Sequence, residues 1–294
     1  MSILAIIIAL LLNHTWKGLY QLRSAAWLPS MIVGLNRLFG KKIPLRDVWL
    51  FALTLALPLG VIFTLDALIP HRAGVLADLV FTVLVVTYCI GPRDLDQDIS
   101  TLIEHSDEAA IDERAAKNIV KEPLSSAPEA AMEQLIQGIF RQSLLRWFGV
   151  IFWFALLGPV GAILYRLSQW LLASKVVIPE RQRLWAAALS RFLEWPAAQL
   201  MTLGLAIAAD FDTVLTAWRH YHREQGHGLW EADNGFMLAA ALEAVKGGHA
   251  NRDGFADQLG GPLGPIKLAM DLVWRLLGVW LVALALILLA GWLA

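Results

Sequence analysis

The chain has 294 residues, of which 57% are hydrophobic, and 13 of them are tryptophan. This apolar fraction exceeds that of an average soluble domain, so the composition predicts an integral membrane protein. The formal net charge of −1 argues against a nucleic-acid-binding protein, because such a protein needs a basic face to neutralise phosphates. Cys89 is the single cysteine, which excludes an internal disulfide and favours a packing role.

Residues 1–92 are predicted to form N-terminal membrane helices with a basic interfacial loop. Residues 1–12 lack the charged start and the small-residue cleavage site of a secretory signal, so we expect a short, uncleaved membrane helix. The segment 16–46 carries six cations and no acidic residue, which predicts a cytoplasmic location. Its apolar residues recur at helical spacing, which favours a helix along the membrane surface over a solvated loop. The apolar runs 48–69 and 74–90 predict a transmembrane hairpin.

Residues 93–146 are acidic at first and are predicted to form a cytoplasmic segment of amphipathic helices. Asp94, Asp96 and Asp98 form a D-x-D-x-D run, a pattern that also suits magnesium or calcium. Residues two positions apart on a helix point to different sides, so a solvated acidic face is the favoured interpretation. No metal site is predicted in the chain.

The most hydrophobic stretch, residues 147–172, has a break at its centre. Pro159 lacks a backbone donor and clashes with the preceding turn, while Gly158 and Gly161 remove side-chain packing. At bilayer depth, such a break requires protein or a water-filled cavity to satisfy the freed backbone groups. Cationic residues flank both ends, which indicates that both ends lie in the cytoplasm and makes the stretch a candidate re-entrant hairpin. A single kinked transmembrane helix is the equally weighted alternative.

Two charged residues interrupt the second part of the predicted membrane core, which extends over residues 147–209. Arg191 and Glu194 lie in the otherwise apolar run 184–209, just before Pro196. An unpaired charge at the bilayer centre costs about 3 kcal/mol. The run therefore either lies at the membrane interface until Pro196 or buries Arg191 and Glu194 as a pair in a cavity. Polar groups at this depth are candidate functional residues.

Residues 210–265 are predicted to be a cytoplasmic segment of helices and loops, rich in aromatic and histidine side chains. Imidazoles beside a carboxylate, such as Asp233, suit zinc or iron. His220 and His222 are two positions apart, however, whereas helical ligand pairs are three or four apart. A role at the helix surface or as membrane anchors is therefore favoured for these histidines and for Trp230.

The elements together predict an all-α integral membrane protein with about four to six membrane helices. The last of these helices is predicted in residues 266–294. The predicted fold also contains a broken central hairpin and cytoplasmic amphipathic helices.

The sequence FWFALLGPVGAILYRL, residues 152–167, resembles the signature F-W-x-x-L-G-G-P-x-G-A-L-x-Y-[RK] of the CobD/CbiB membrane family. Members of that family are adenosylcobinamide-phosphate synthases of cobalamin assembly. Three further motifs, LEWPAA at 193–198, DFD at 210–212 and AWR at 217–219, resemble the AmpE inner-membrane proteins of the same superfamily. The resemblance covers nearly the whole chain and implies a multi-pass protein of the bacterial inner membrane.

Two departures from the CobD/CbiB pattern bear on catalysis. Leu145 and Leu172 stand where that family has carboxylates, in an E-N-x-S-D run and in a V-N-T-L-D-S-M run. Amide-forming or phosphate-handling chemistry needs such groups for metal, proton or cation handling. We therefore transfer the fold from the resemblance and predict no catalytic residue, no cofactor and, on balance, no enzymatic activity.

The AmpE resemblance implies a regulatory protein of β-lactamase induction, acting beside the amidase that recycles cell-wall muropeptides. We hypothesise a cytoplasm-facing intramembrane pocket for a muropeptide, a lipid or another polar or anionic ligand, with the half-helix after Pro159 directing its positive end at the ligand. Membrane lipids are the other expected partners, and no nucleic acid is expected. A cobalamin-type membrane enzyme and a small-molecule permease are the rival hypotheses. The predicted pocket residues are Gly158, Pro159, Gly161, Tyr165, Arg166, Arg191, Glu194, His220, His222, Trp230 and Asp233.

Overall fold

The computed structural model describes residues 2–15, 25–38, 46–90, 95–105, 111–173, 180–225, 233–250 and 263–290. All regular structure in these ranges is helical, which confirms the predicted all-α class. The helices are α1 (Ser2–Thr15), α2 (Trp27–Leu38), α3 (Arg46–Cys89), α4 (Leu95–His105), α5 (Glu113–Ala116), α6 (Pro128–Ser143), α7 (Gly149–Ala173), α8 (Glu180–Ala208), α9 (Phe211–Gln225), α10 (Gly235–Ala250) and α11 (Gly264–Leu289), with a π-helical turn at Leu144–Phe148 between α6 and α7.

Three helical runs are long and apolar enough to cross a membrane, as judged by length and composition. They are Asp47–Ile69, Pro128–Ala173 and Gly264–Leu289, and two shorter apolar helices, Ile3–Asn13 and Gly74–Cys89, accompany them. This set agrees with the predicted membrane protein of about four to six membrane helices.

The helix α3 reverses direction at Gly74, whose φ of 80° and ψ of 176° are not helical. Side chains from both sides of this break, including Pro58 and Val85, line one cavity. In a straight helix these two residues would be about 40 Å apart. The hairpin predicted for residues 48–90 is therefore confirmed, with the reversal at Gly74.

The helix α7 also consists of two arms, which meet at Gly158 with φ 62° and ψ −152°. A Cβ atom added to Gly161 would meet the carbonyl oxygen of Trp153, and one added to Gly149 would meet the ring of Tyr165. Residues 149 and 165 would be about 24 Å apart in a continuous helix. The chain therefore folds back on itself at Gly158, and the geometry is that of a hairpin and not of a kinked span.

The chain divides into two compact units, and both are discontinuous in sequence. The first unit comprises Met1–Pro92 and Gly149–Leu193, and the second comprises Arg93–Phe148 and Glu194–Trp292. Both hairpins belong to the first unit, where the indole of Trp153 donates a hydrogen bond to the carbonyl of Leu193 at 2.8 Å.

The basic segment of the first unit contains the predicted helix, α2, whose apolar residues Leu28, Ile32 and Leu35 are buried. This burial follows the helical spacing that predicted the element. Its position at the membrane surface stays a prediction.

In the second unit, the described part of the acidic segment forms the 11-residue helix α4 and the four-residue helix α5. Two aromatic pairs pack within this unit, and Trp274 itself is 41% exposed. Trp147 packs on Trp274 with ring centroids 5.2 Å apart, and Phe148 packs on Trp280 at 5.1 Å.

Candidate functional site

A cluster of polar side chains forms in the second unit, where the chain enters α10. Asp233 accepts hydrogen bonds from the hydroxyl of Tyr221 on α9 and from the backbone N–H of Gly235. The adjacent Asn234 donates from its side-chain amide to the carboxylate of Glu194 on α8, at 2.8 Å. Glu194 and Asp233, both predicted from the sequence, thus lie in one network. We call these residues the α10 entry cluster.

The pKa of Tyr221 is raised to about 12 by burial, by the hydrogen bond to Asp233 and by the negative charge of that carboxylate. An ordinary tyrosine has a pKa of about 10. The folded state therefore holds this proton more tightly than the unfolded state does. The resulting stabilisation is fully present below about pH 10 and is lost as the pH rises toward 12.

We expect Tyr221 to contribute a late component when tyrosinate absorbance is followed in alkali. The substitution Asp233→Asn should lower the pKa of Tyr221 part of the way toward about 10, because the acceptor loses its negative charge while the burial of Tyr221 remains. The exposed carboxylate of Asp212, on the same helix as Tyr221, provides the control variant Asp212→Asn, which should leave the titration unchanged. A late component that is unchanged in Asp233→Asn would contradict this assignment.

His222 lies among aromatic rings beside the α10 entry cluster. Its imidazole stacks on Phe236 with centroids 5.5 Å apart and meets the edge of Trp218 at 4.8 Å. Both ring nitrogens are buried and have no hydrogen-bond partner among the residues that the structure describes. His220, two positions earlier, has a side chain that is 65% exposed and lies 3.4 Å from Glu224. The two predicted histidines therefore have different environments.

A polar cavity of about 650 Å³ lies among α6, α9 and α10. This volume is within the range of small-molecule sites, about 300–1,000 Å³. Its lining carries the carboxylates of Asp212, Glu224 and Glu243, together with Gln137, Thr213, Thr216, His220 and Tyr221. Lys246 lies outside the lining but bridges Glu243 and Glu133, at 3.6 and 2.8 Å. The cavity thus combines three carboxylates with hydroxyl and amide groups, a set that suits a ligand with an amino group.

A second polar network surrounds Arg146, in the π-helical turn. Its guanidinium contacts the carboxylate of Asp98 at 2.7 Å, the side chain of Gln142 at 3.1 Å and the backbone carbonyl of Asn118 at 3.2 Å. The side chains of Arg146 and Asp98 are 10% and 7% exposed. The prediction that the D-x-D-x-D run is a solvated acidic face is therefore wrong for Asp98. Asp94 lies outside the described residues.

The sequence contained a signal for this burial. Leu95, Asp98 and Leu102 are three and four positions apart and so share one helix face, and all three are buried. The two-residue spacing of the acidic run places its side chains on different sides of the helix and so does not indicate this buried face. The partner Arg146 is 48 positions away, and no local pattern identifies it.

In the first unit, the predicted residues Gly158, Pro159, Gly161, Tyr165 and Arg166 belong to the α7 hairpin. Tyr165 is fully buried against Gly149. The Arg166 guanidinium lies 5.5 Å from the ring centre of Trp170.

The remaining predicted pocket residues differ in their burial. Arg191 is exposed, whereas Glu194 is buried and accepts a hydrogen bond from Asn234. The predicted alternative of a buried Arg191–Glu194 pair is therefore wrong. Trp230 lies outside the described residues. A pocket that joins residues of the two units stays a prediction.

Comparison with curated proteins finds similarity to the Cobalamin biosynthesis protein CobD of Stutzerimonas stutzeri (strain A1501), with 36% identity over 160 residues. The match covers 50% of this chain and 50% of that protein, so the chain spans about half the length of the curated relative it matches. No family model matches the chain, and no solved structure matches it. The chain is therefore CobD-like over half its length, which agrees with the predicted superfamily and does not single out the AmpE group.

Proposed function

We propose that this chain is a regulatory membrane protein of AmpE type, located in the bacterial inner membrane and linked to cell-wall recycling and β-lactamase induction. The supporting observation concerns the region where the synthases have a reactive polar run. Leu145 replaces the expected carboxylate, and the neighbouring Gln142 and Arg146 are engaged in buried contacts with the protein itself. Side chains held in this way have a structural role, which favours regulation over synthesis.

The polar cavity among α6, α9 and α10 is the proposed ligand site. Its three carboxylates favour a ligand that carries an amino group over a purely anionic one. A muropeptide has amino groups, which suit the carboxylates of the lining, and hydroxyls, which suit its hydroxyl and amide groups. His220 and Tyr221, which line this cavity, provide the polar contacts that fix orientation.

Deletion of the gene in its own host, followed by measurement of β-lactamase activity with and without inducer, tests the regulatory function. We expect the deletion to change the induced level and the paired variant Asp212→Asn with Glu224→Gln to reproduce that change. Glu129→Gln is the matched control, because Glu129 is an exposed carboxylate on α6 outside the cavity. An unchanged inducible response in the deletion strain would refute the regulatory proposal.

The similarity to CobD favours a second candidate, a membrane enzyme of cobalamin type with relocated catalytic groups. Purified protein would then bind a corrinoid and convert a cobyric acid substrate. We expect neither binding nor turnover, and measured turnover would replace the regulatory proposal by the enzymatic one. Flux of a muropeptide into proteoliposomes would instead favour the permease.

A further inference from the structure

The polar cavity of the second unit follows α9 along most of that helix. Its lining on α9 begins at Asp212 and ends at Glu224, two residues that are 12 positions apart. At the rise of an α-helix, they are separated by about 18 Å along the helix axis. Both residues are exposed, so a molecule in the cavity can reach their carboxylates. The cavity is therefore elongated and carries an accessible carboxylate at each end.

The helix α10 forms the facing wall and runs antiparallel to α9. A Cβ atom added to Gly235 would meet the hydroxyl of Tyr221, and one added to Gly247 would lie 3.7 Å from the side chain of Thr213. The beginning of α10 thus packs on the end of α9, and the end of α10 packs on the beginning of α9. Glu243, in the second half of α10, therefore belongs to the Asp212 end of the cavity.

The Asp212 end is already adjacent to one ammonium group of the protein. Lys246 contacts Glu243 at 3.6 Å and Glu133 at 2.8 Å. This contact shows that an alkylammonium group fits against a carboxylate of the lining. Because Lys246 partly neutralises Glu243, Asp212 is the carboxylate that this end offers to a ligand.

The other end and the middle of the cavity are open to a chain-like molecule. Glu224 is 69% exposed and has the imidazole of His220 at 3.4 Å, so a ligand ammonium can approach it from solvent. The lining between the two ends includes the small side chains of Thr216, Ala217 and Ala239. They leave room for a linking chain, and the Thr216 hydroxyl can bond polar groups on that chain.

We propose that the ligand of this cavity is an extended molecule with two amino groups, one bound at Asp212 and the other at Glu224, and with a polar chain between them. A compact molecule with one amino group reaches only one end and leaves the other carboxylate in water. The inference rests on the proposed function for the choice of this cavity as the ligand site, and it adds the length and the charge pattern of the ligand.

Isothermal titration calorimetry of the full-length protein, in an uncharged detergent and at low ionic strength, tests the proposal. The probe is 4,7,10-trioxa-1,13-tridecanediamine, whose two amino groups are about 17 Å apart at full extension. Its mono-N-acetyl derivative keeps the chain and loses one ammonium group. We expect the diamine to bind about three- to fivefold more tightly than the derivative, which is the effect of one partly exposed ion pair. Equal affinities, or no measurable binding of the diamine, would overturn the proposal.

Single substitutions at the two ends locate the bound ammonium groups. Asp212→Asn and Glu224→Gln should each remove the advantage of the diamine over its acetylated derivative, because only one of the two end carboxylates then remains. Glu129→Gln is the matched control and should keep the full advantage, since Glu129 is an exposed carboxylate outside the cavity. An advantage that persists in both cavity variants would show that the diamine binds elsewhere and would overturn the proposal.

These outcomes are separable from those of the gene deletion. Loss of the diamine advantage in the two variants, together with an unchanged inducible response in the deletion strain, would support the ligand class and refute the regulatory function. Equal affinities of the two probes, together with a changed response, would refute the ligand class alone.

Discussion

Replacement of Arg146 by methionine is expected to lower the free energy of unfolding by about 3–5 kcal/mol, because it removes the guanidinium that bonds the buried carboxylate of Asp98. The guanidinium also bonds Gln142 and the carbonyl of Asn118, so three acceptors lose a donor together. Methionine matches the length of the arginine stem, and the predicted loss is therefore due to the charge and its hydrogen bonds and not to a cavity.

Equilibrium unfolding in mixed micelles, followed by helix content, measures this loss. Arg141→Met is the matched control, since Arg141 is an exposed arginine near the end of α6, five positions before Arg146, and its replacement should cost less than about 0.5 kcal/mol. The double variant Arg146→Met with Asp98→Leu should recover much of the stability, because the buried carboxylate is then removed together with the guanidinium. Equal stability of the Arg146 and Arg141 variants would show that the buried network contributes nothing.

This experiment also bears on the functional argument. If the network around Arg146 is structural, the double variant should keep the regulatory phenotype once its stability is restored. A ligand-binding role would instead make the phenotype depend on the charge of Arg146 itself. The two roles are thus separable in one set of variants.

The sequence predicted the membrane helices because their signal is local. The apolar runs, the Pro159 break and the amphipathic spacing of α2 each lie within a few helical turns. The choice between a hairpin and a kinked span was not available from the sequence, because glycine and proline break a helix in either case. The contacts of Gly161 with Trp153 and of Gly149 with Tyr165 decide it, and these are tertiary contacts.

The candidate site was predictable in part for the same reason. Polar groups in the apolar run directed attention to Glu194, but its partner Asn234 is 40 positions away. The histidine-rich segment was recognised, whereas the carboxylates of Glu224 and Glu243 became part of a site only when α6, α9 and α10 packed together. The residue types show which side chains can bind a ligand, and the packing of the helices decides which of those side chains lie close together.

Substitution of Gly158 by alanine is expected to lower the free energy of unfolding by about 1–3 kcal/mol, through backbone strain alone. No atom lies within 4 Å of the Cβ that would be added, so no steric clash contributes, but a φ of 62° with a ψ of −152° is a conformation that essentially only glycine adopts. Gly161→Ala should cost more, because its added Cβ meets the backbone oxygen of Trp153 and the two arms must separate.

Gly60→Ala provides the control for both variants, measured by the same unfolding experiment. Gly60 lies within a helical arm of α3 and also has no atom within 4 Å of an added Cβ, so alanine there should be neutral or stabilise by up to about 1 kcal/mol. In a kinked continuous helix, Gly161 and Trp153 would be two turns apart, and Gly161→Ala would behave like Gly60→Ala. A cost that increases from Gly60 through Gly158 to Gly161 is therefore the order that a chain reversal at residue 158 requires.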